Sequence, residues 1–125
     1  MNRIAAASAV VFALSVVAGS AQAEGDAAAG EKLFRQCQAC HAVEAGKNRV
    51  GPSLFGIYGR KAGSAEEFKG YSEGLKASGI VWDDAKLDAY LTNPKAVIAD
   101  SKMAFGGIGE AADRAHVIAY LKTLK

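Results

Sequence analysis

Three features of the sequence predict an all-α fold. Apolar residues recur at helical spacing in separate segments, strand-like alternation of useful length is missing, and glycines interrupt the middle of the chain too often for long regular elements. No internal repeat or low-complexity tract competes with that reading.

The first 23 of the 125 residues stand apart from this pattern. Met1-Asn2-Arg3 precedes an apolar run over 4–19, and Ala21 and Ala23 flank Gln22, which predicts a secretory signal peptide cleaved after Ala23. The run is short against the roughly 20 residues that cross a bilayer, and it ends on small residues rather than charges, which argues against a retained anchor. Residues 24–125 then form one small domain. Processing removes Arg3 and leaves 14 basic against 13 acidic residues, a net charge of +1. So balanced a chain lacks the basic stripe that a nucleic-acid binder needs.

Within 24–125, Asp26 is expected to cap a first helix that carries Leu33, Phe34 and Cys37 on its apolar face and ends near Cys37. From 42 to 70, Gly46, Gly51, Gly56, Gly59, Gly63 and Gly70 predict a wrapped, loop-rich middle. A short helix over 71–78 is stopped by Gly79. A second clear helix over 83–94 starts at the capping Asp83, places Leu87, Tyr90 and Leu91 on one face, and is closed by Asn93-Pro94. After a loop through Gly106, Gly107 and Gly109, a last helix over 110–125 aligns Val117, Tyr120, Leu121 and Leu124. A domain of this size has little stability to spare, so a disulfide, metal or cofactor is expected to staple it.

The chemistry is concentrated in "CQACH", residues 37–41, which holds both cysteines and one of the two histidines. A Cys-x-x-Cys pair suits three chemistries. A disulfide oxidoreductase places it after a strand in an α/β fold, and no strands surround Cys37. Structural zinc wants four protein ligands, and Cys37, Cys40, His41 and the distant His116 match the count but are poor in spacing. Covalent haem attachment uses Cys-x-x-Cys-His, because two thiols add to the two vinyl groups of the porphyrin and the next residue reaches the iron. Behind an export signal, haem c is favoured. A sixth ligand would come from Met103, in the polar loop "IADSKMAFGG", or from His116 in the last helix. Core filling is the ordinary use of a lone methionine, and plain packing explains His116, Trp82 and Tyr90 without a cofactor.

These segments together resemble the class I cytochromes c, most closely bacterial periplasmic members with mitochondrial-like sequence. The resemblance runs through "GEKLFRQCQACH", "VGPSLFGIYGRKAG", "YSEGLKASGIVW", "LDAYLTNPKAVI", "SKMAFGGI" and "ADRAHVIAYLK" in order. It implies four to five helices wrapped around one haem, with thioethers from Cys37 and Cys40, His41 as proximal ligand and Met103 as distal ligand. It further implies that the Pro52 carbonyl accepts a hydrogen bond from His41 and that Tyr90 approaches the Met103 sulfur. Arg60, Tyr71, Trp82 and Ser101 would contact or screen the propionates, and Gly30 and Phe34 would cross the last helix near Tyr120. Leu75, Ala99-Asp100 and Phe55 depart from the mitochondrial pattern, where asparagine, Pro-Gly and histidine are usual. The first substitution puts a buried water network in doubt and the second is expected to loosen the methionine loop.

A haem held on both sides implies an outer-sphere electron shuttle and no enzyme activity. The rival is a haem enzyme or ligand sensor whose Met103 dissociates. A monomeric periplasmic carrier of this kind would take electrons from a membrane quinol-oxidising cytochrome complex. It would exchange them with a terminal oxidase, a photosynthetic reaction centre or a periplasmic dehydrogenase. Lys32, Lys47, Lys95 and Lys102 are the candidate steering charges.

Overall fold

The structure, a computed structural model, describes residues 25–125; the expected signal peptide and its cleavage point lie outside the described residues. Five helices follow one another: α1 (Ala27–Phe34), α2 (Glu73–Ala77), α3 (Asp84–Thr92), α4 (Pro94–Val97) and α5 (Ala111–Lys122). Side-chain oxygens start three of them. Asp26 accepts from the Ala28 amide, Ser72 from Leu75 and Asp83 from Lys86, each supplying an acceptor for one of the orphan amide donors of a helix start.

Helix α1 ends three residues before the expected Cys37, and the chain continues in tight turns. The Cys37 amide donates to Phe34 O at 2.8 Å, and that of His41 to Cys37 O at 2.9 Å. The turns hold 37–41 as one compact unit behind the helix. Pro94 does close α3, as expected, but it also opens α4, a helix that the sequence had placed in a loop. Proline at the first helical position loses no hydrogen bond and brings φ preset, so one residue stops one helix and starts the next.

The core is built where α1 and α5 cross. Gly30 faces the His116 carbonyl, and a Cβ there would sit 2.9 Å from the Tyr120 Cβ, so only glycine lets the two backbones approach. Beside it the Phe34 and Tyr120 rings lie 5.1 Å apart, with Phe34 only 1% exposed. Helix α3 joins through buried Leu87 and Leu91, and Arg114 of α5 ties it down with a 2.7 Å bond to Asp88. The same guanidinium donates to the carbonyls of Ile108 and Gly109, which anchors the loop ahead of α5.

Between α1 and α2 the chain wraps in short turns. Among the described residues the one β-type pairing is the isolated antiparallel bridge Lys61–Val81. Around it the Ala62 amide donates to Ile80 O at 2.7 Å and the Trp82 amide to Arg60 O at 3.0 Å. This contact brings Arg60 beside Trp82, and no periodicity in the sequence announced it.

Candidate cofactor site

The wrapped middle, the turns after α1 and the loop after α4 enclose one open cleft of about 1220 Å³, counted to its mouth. Its lining, drawn from α1, α2, α3, α5 and the loops between them, is far more extensive than a single ion needs. Phe34, Leu54, Ile57, Leu87, Leu91 and Val117 make its apolar floor. Around them stand Cys37, Cys40, His41 and Pro52, then Arg60, Tyr71 and Trp82, then Tyr90, Ser101 and Met103. Every residue that the sequence singled out for the cofactor therefore borders a single space.

His116 does not. It sits on α5, where its Nδ1 accepts the Asp26 amide at 2.8 Å, so it serves the start of α1. The two possible sources of a sixth ligand are thereby separated by the fold.

The His41 ring is fixed from two sides. Its Nδ1 lies 2.7 Å from Pro52 O, and since a carbonyl can only accept, Nδ1 carries the proton and Nε2 keeps its lone pair. The backbone of Gly51 lies against the ring so closely that any Cβ there would collide with it. Gly51 was read from sequence only as a loop glycine; its place next to Pro52, in the segment that returns to the histidine, was the available signal. Burial pushes the His41 pKa below its ordinary value, which keeps the ring neutral and ligand-competent at pH 7.

Cys37 and Cys40 are free thiols that line the same wall. Burial, and then the neighbouring Cys40, push the Cys37 pKa up. A redox-active thiol is activated in the opposite direction, so the pair is poorly suited to thiol exchange. Among the described residues no three His, Cys, Asp or Glu side chains gather as a metal cluster. The donor set suits a large cofactor and not a bare zinc ion.

Arg60 supplies the polar test of that fit. Two carbonyls orient its guanidinium, Phe55 O at 3.1 Å and Ser53 O at 3.4 Å, while its Nε is buried without a partner. A buried donor left unpaired is costly, and a cation facing an apolar cleft calls for an anion there. The carboxylates of a haem are of the required kind. Buried Ser53, also missed from sequence, supports this corner by donating to Glu44 O at 2.5 Å and accepting the Phe55 amide at 3.2 Å.

On the other wall the Tyr90 hydroxyl and Ser101 Oγ are 3.0 Å apart, and the Met103 amide donates to that Oγ at 3.4 Å. Burial raises the Tyr90 pKa, so the phenol stays protonated. Its ring lies 5.0 Å from that of Trp82, which makes both residues packing groups as well as cleft lining. Leu75 joins the lining on the α2 side. The departure at Asp100 does not leave the loop untied there: its Oδ2 accepts the Gly74 amide at 2.9 Å. Of the candidate steering lysines, Lys102 borders the cleft, while Lys47 is paired with Glu44 at 2.8 Å.

Comparison with known proteins agrees with this geometry. The family model for cytochrome c matches residues 27–125. Cytochrome c-554 of Methylosinus trichosporium is 49% identical over 97% of this chain and 90% of its own length. Cytochrome c2 of Rhodomicrobium vannielii is 48% identical over 92% of each chain. Cytochrome cH from Methylobacterium extorquens superposes with a TM-score of 0.71 at 50% identity, covering 79% of this chain and 99% of its own. The chain belongs to the cytochrome c family, has the class I fold, and takes one covalently bound haem c.

Proposed function

We propose that this protein is an exported one-electron carrier, processed after Ala23 and working as a monomer in the periplasm. Cys37 and Cys40 form the thioethers, His41 is the proximal ligand and Met103 the distal one. The bound haem supplies a reversible one-electron couple, which thioether ligation and burial shift towards the reduced form. The observation that carries this reading is that both cysteines, the fixed neutral His41 and Met103 border one apolar cleft, while His116 is engaged elsewhere.

The chain's own groups do the rest. The Pro52 carbonyl orients the His41 ring and Gly51 leaves room for it. Arg60 offers its unpaired Nε to a carboxylate, and Tyr71, Trp82 and Ser101 border the same cleft. With His41 and Met103 both holding the metal, substrate chemistry there would be disfavoured, which would make the protein a shuttle and no enzyme.

Visible spectra of the purified protein, oxidised and then reduced with ascorbate, test this directly. A sharp reduced α band and the weak red absorption of methionine-to-iron ligation are expected, with the red absorption lost in Met103→Ala. Absence of that absorption in the wild type would instead favour a haem enzyme or ligand sensor with an open distal side.

A membrane quinol-oxidising cytochrome complex is the proposed donor, and a terminal oxidase, reaction centre or periplasmic dehydrogenase the proposed exchange partner. Lys102 at the mouth, with Lys32, Lys47 and Lys95, would steer such an encounter. Reduction rates should then fall as salt is added; a flat response would remove the lysines from docking.

A further inference from the structure

The segment that leads into Met103 is held at three points. The Ser101 amide closes a turn on Ile98 O at 3.0 Å, Ser101 Oγ meets the Tyr90 hydroxyl, and the Asp100 carboxylate accepts the Gly74 amide at 2.9 Å. The first two are local or reach α3. The third reaches the turn ahead of α2, 26 residues away in the chain, whose Tyr71, Ser72 and Leu75 border the same cleft as Ser101, Lys102 and Met103.

The fit is close and reciprocal. A Cβ on Gly74 would meet the Asp100 carboxylate, so a side chain there would push the carboxylate from its present place. The Gly74 amide, then the Ser72 side chain, also hold the Asp100 carboxyl below the usual carboxylate range, in keeping with a charge-assisted contact.

We propose that Asp100 is a positioning residue: its carboxylate clamps the Met103 loop to the Ser72–Gly74 turn and keeps the distal side of the cleft closed to outside ligands. The proposal rests on Met103 being the distal ligand. Without the clamp, the loop keeps its local turn but loses its link to the Ser72–Gly74 turn, and the thioether is displaced more readily.

The test uses the oxidised holoprotein at pH 7, titrated with imidazole while the red methionine-to-iron absorption is followed. Asp100→Ala should bind imidazole roughly twofold to fivefold more tightly than wild type, the scale of one lost contact to an exposed charge. Gly74→Ala should do the same from the other side, and the double variant should be no looser than either single one, because both break one contact. Asp100→Asn keeps an acceptor oxygen and should restore most of the wild-type behaviour. Unchanged imidazole affinity in Asp100→Ala would overturn the proposal. So would effects that multiply in the double variant, or an Asn variant as open as the Ala one. Failure of the distal assignment itself is separable, since the red absorption would then already be missing from the wild type.

Discussion

The α1–α5 corner and the walls of the cleft are built on different terms. At the corner, protein packs on protein: Gly30 seats α1 against α5, Phe34 meets Tyr120, and His116 accepts the Asp26 amide. The walls, made from the wrapped middle and the Met103 loop, line the cofactor cleft with apolar side chains such as Leu54, Ile57 and Leu75. They are tied to one another by short hydrogen-bonded contacts, such as Gly59 N to Trp82 O at 2.7 Å and Asp100 to Gly74. One half of the molecule is finished by its own residues, and the other is finished by what enters the cleft. Cofactor binding then contributes folding free energy to the second half, because the unfolded chain has no comparable site.

The largest way to break that contrast is to prevent attachment. Cys37→Ala with Cys40→Ala should leave the chain largely unfolded, with weak helical circular dichroism and no cooperative melt. Native-like helicity and a cooperative transition in that variant would show that the walls hold themselves. Next in size is damage to the corner. Phe34→Ala should cost about 3–5 kcal/mol in denaturant unfolding, since the ring closes both the helix crossing and the cleft floor. Gly30→Ala should also destabilise, by about 1–3 kcal/mol, although alanine normally favours helices over glycine by roughly 0.5–1 kcal/mol. A stabilised Gly30→Ala protein would mean that the helices do not cross as closely as the structure has them.

The same contrast governs what the sequence could reveal. Helices α1, α3 and α5 are legible because apolar spacing and capping aspartates are local signals: Asp26 and Asp83 each cap the helix that they precede. The attachment motif is legible because Cys37, Cys40 and His41 are adjacent in the chain. Partners that are distant in sequence leave no such trace. Arg60 beside Trp82 depends on the Lys61–Val81 bridge, and Gly51 under the His41 ring depends on how the loop returns. Helix α4 was hidden for another reason, since Asn93-Pro94 reads equally as a stop and a start. Asp100 looked like a loosening substitution when judged against a family pattern alone. Only the fold brings it to Gly74, 26 residues away.

A smaller effect probes the wall at Arg60 without unfolding it. Removing this cation, as in Arg60→Gln, takes away a positive charge that disfavours the more positive, oxidised state. The midpoint potential should therefore fall, by roughly tens of millivolts. An unchanged potential, with the haem still bound, would mean that the guanidinium is screened from the cofactor despite its unpaired Nε.

The smallest effect compares one carboxylate contact in each half of the molecule. Lys122 holds the Asp84 carboxyl below its usual range and fastens α5 to α3, whereas the Gly74 amide does the same for Asp100 and fastens the Met103 loop to the turn ahead of α2. For both groups the folded pKa lies below the unfolded one, near about 3.9. The stabilisation is therefore fully present above that value, and it is lost as pH falls through the lowered folded value. Because both carboxylates are exposed, solvent and salt keep each contribution small. Urea unfolding of wild type, Asp84→Asn and Asp100→Ala between about pH 6 and pH 3 should show gaps from wild type that narrow towards the acid end. Narrowing in the Asp84 variant should be read in global unfolding, because the α3–α5 contact belongs to the self-sufficient half. In the Asp100 variant, the larger change should be in loss of the methionine-to-iron absorption at lower urea, ahead of the helices. If both signals moved together in both variants, corner and walls would be one cooperative unit, and the division between them would be one of packing and not of stability.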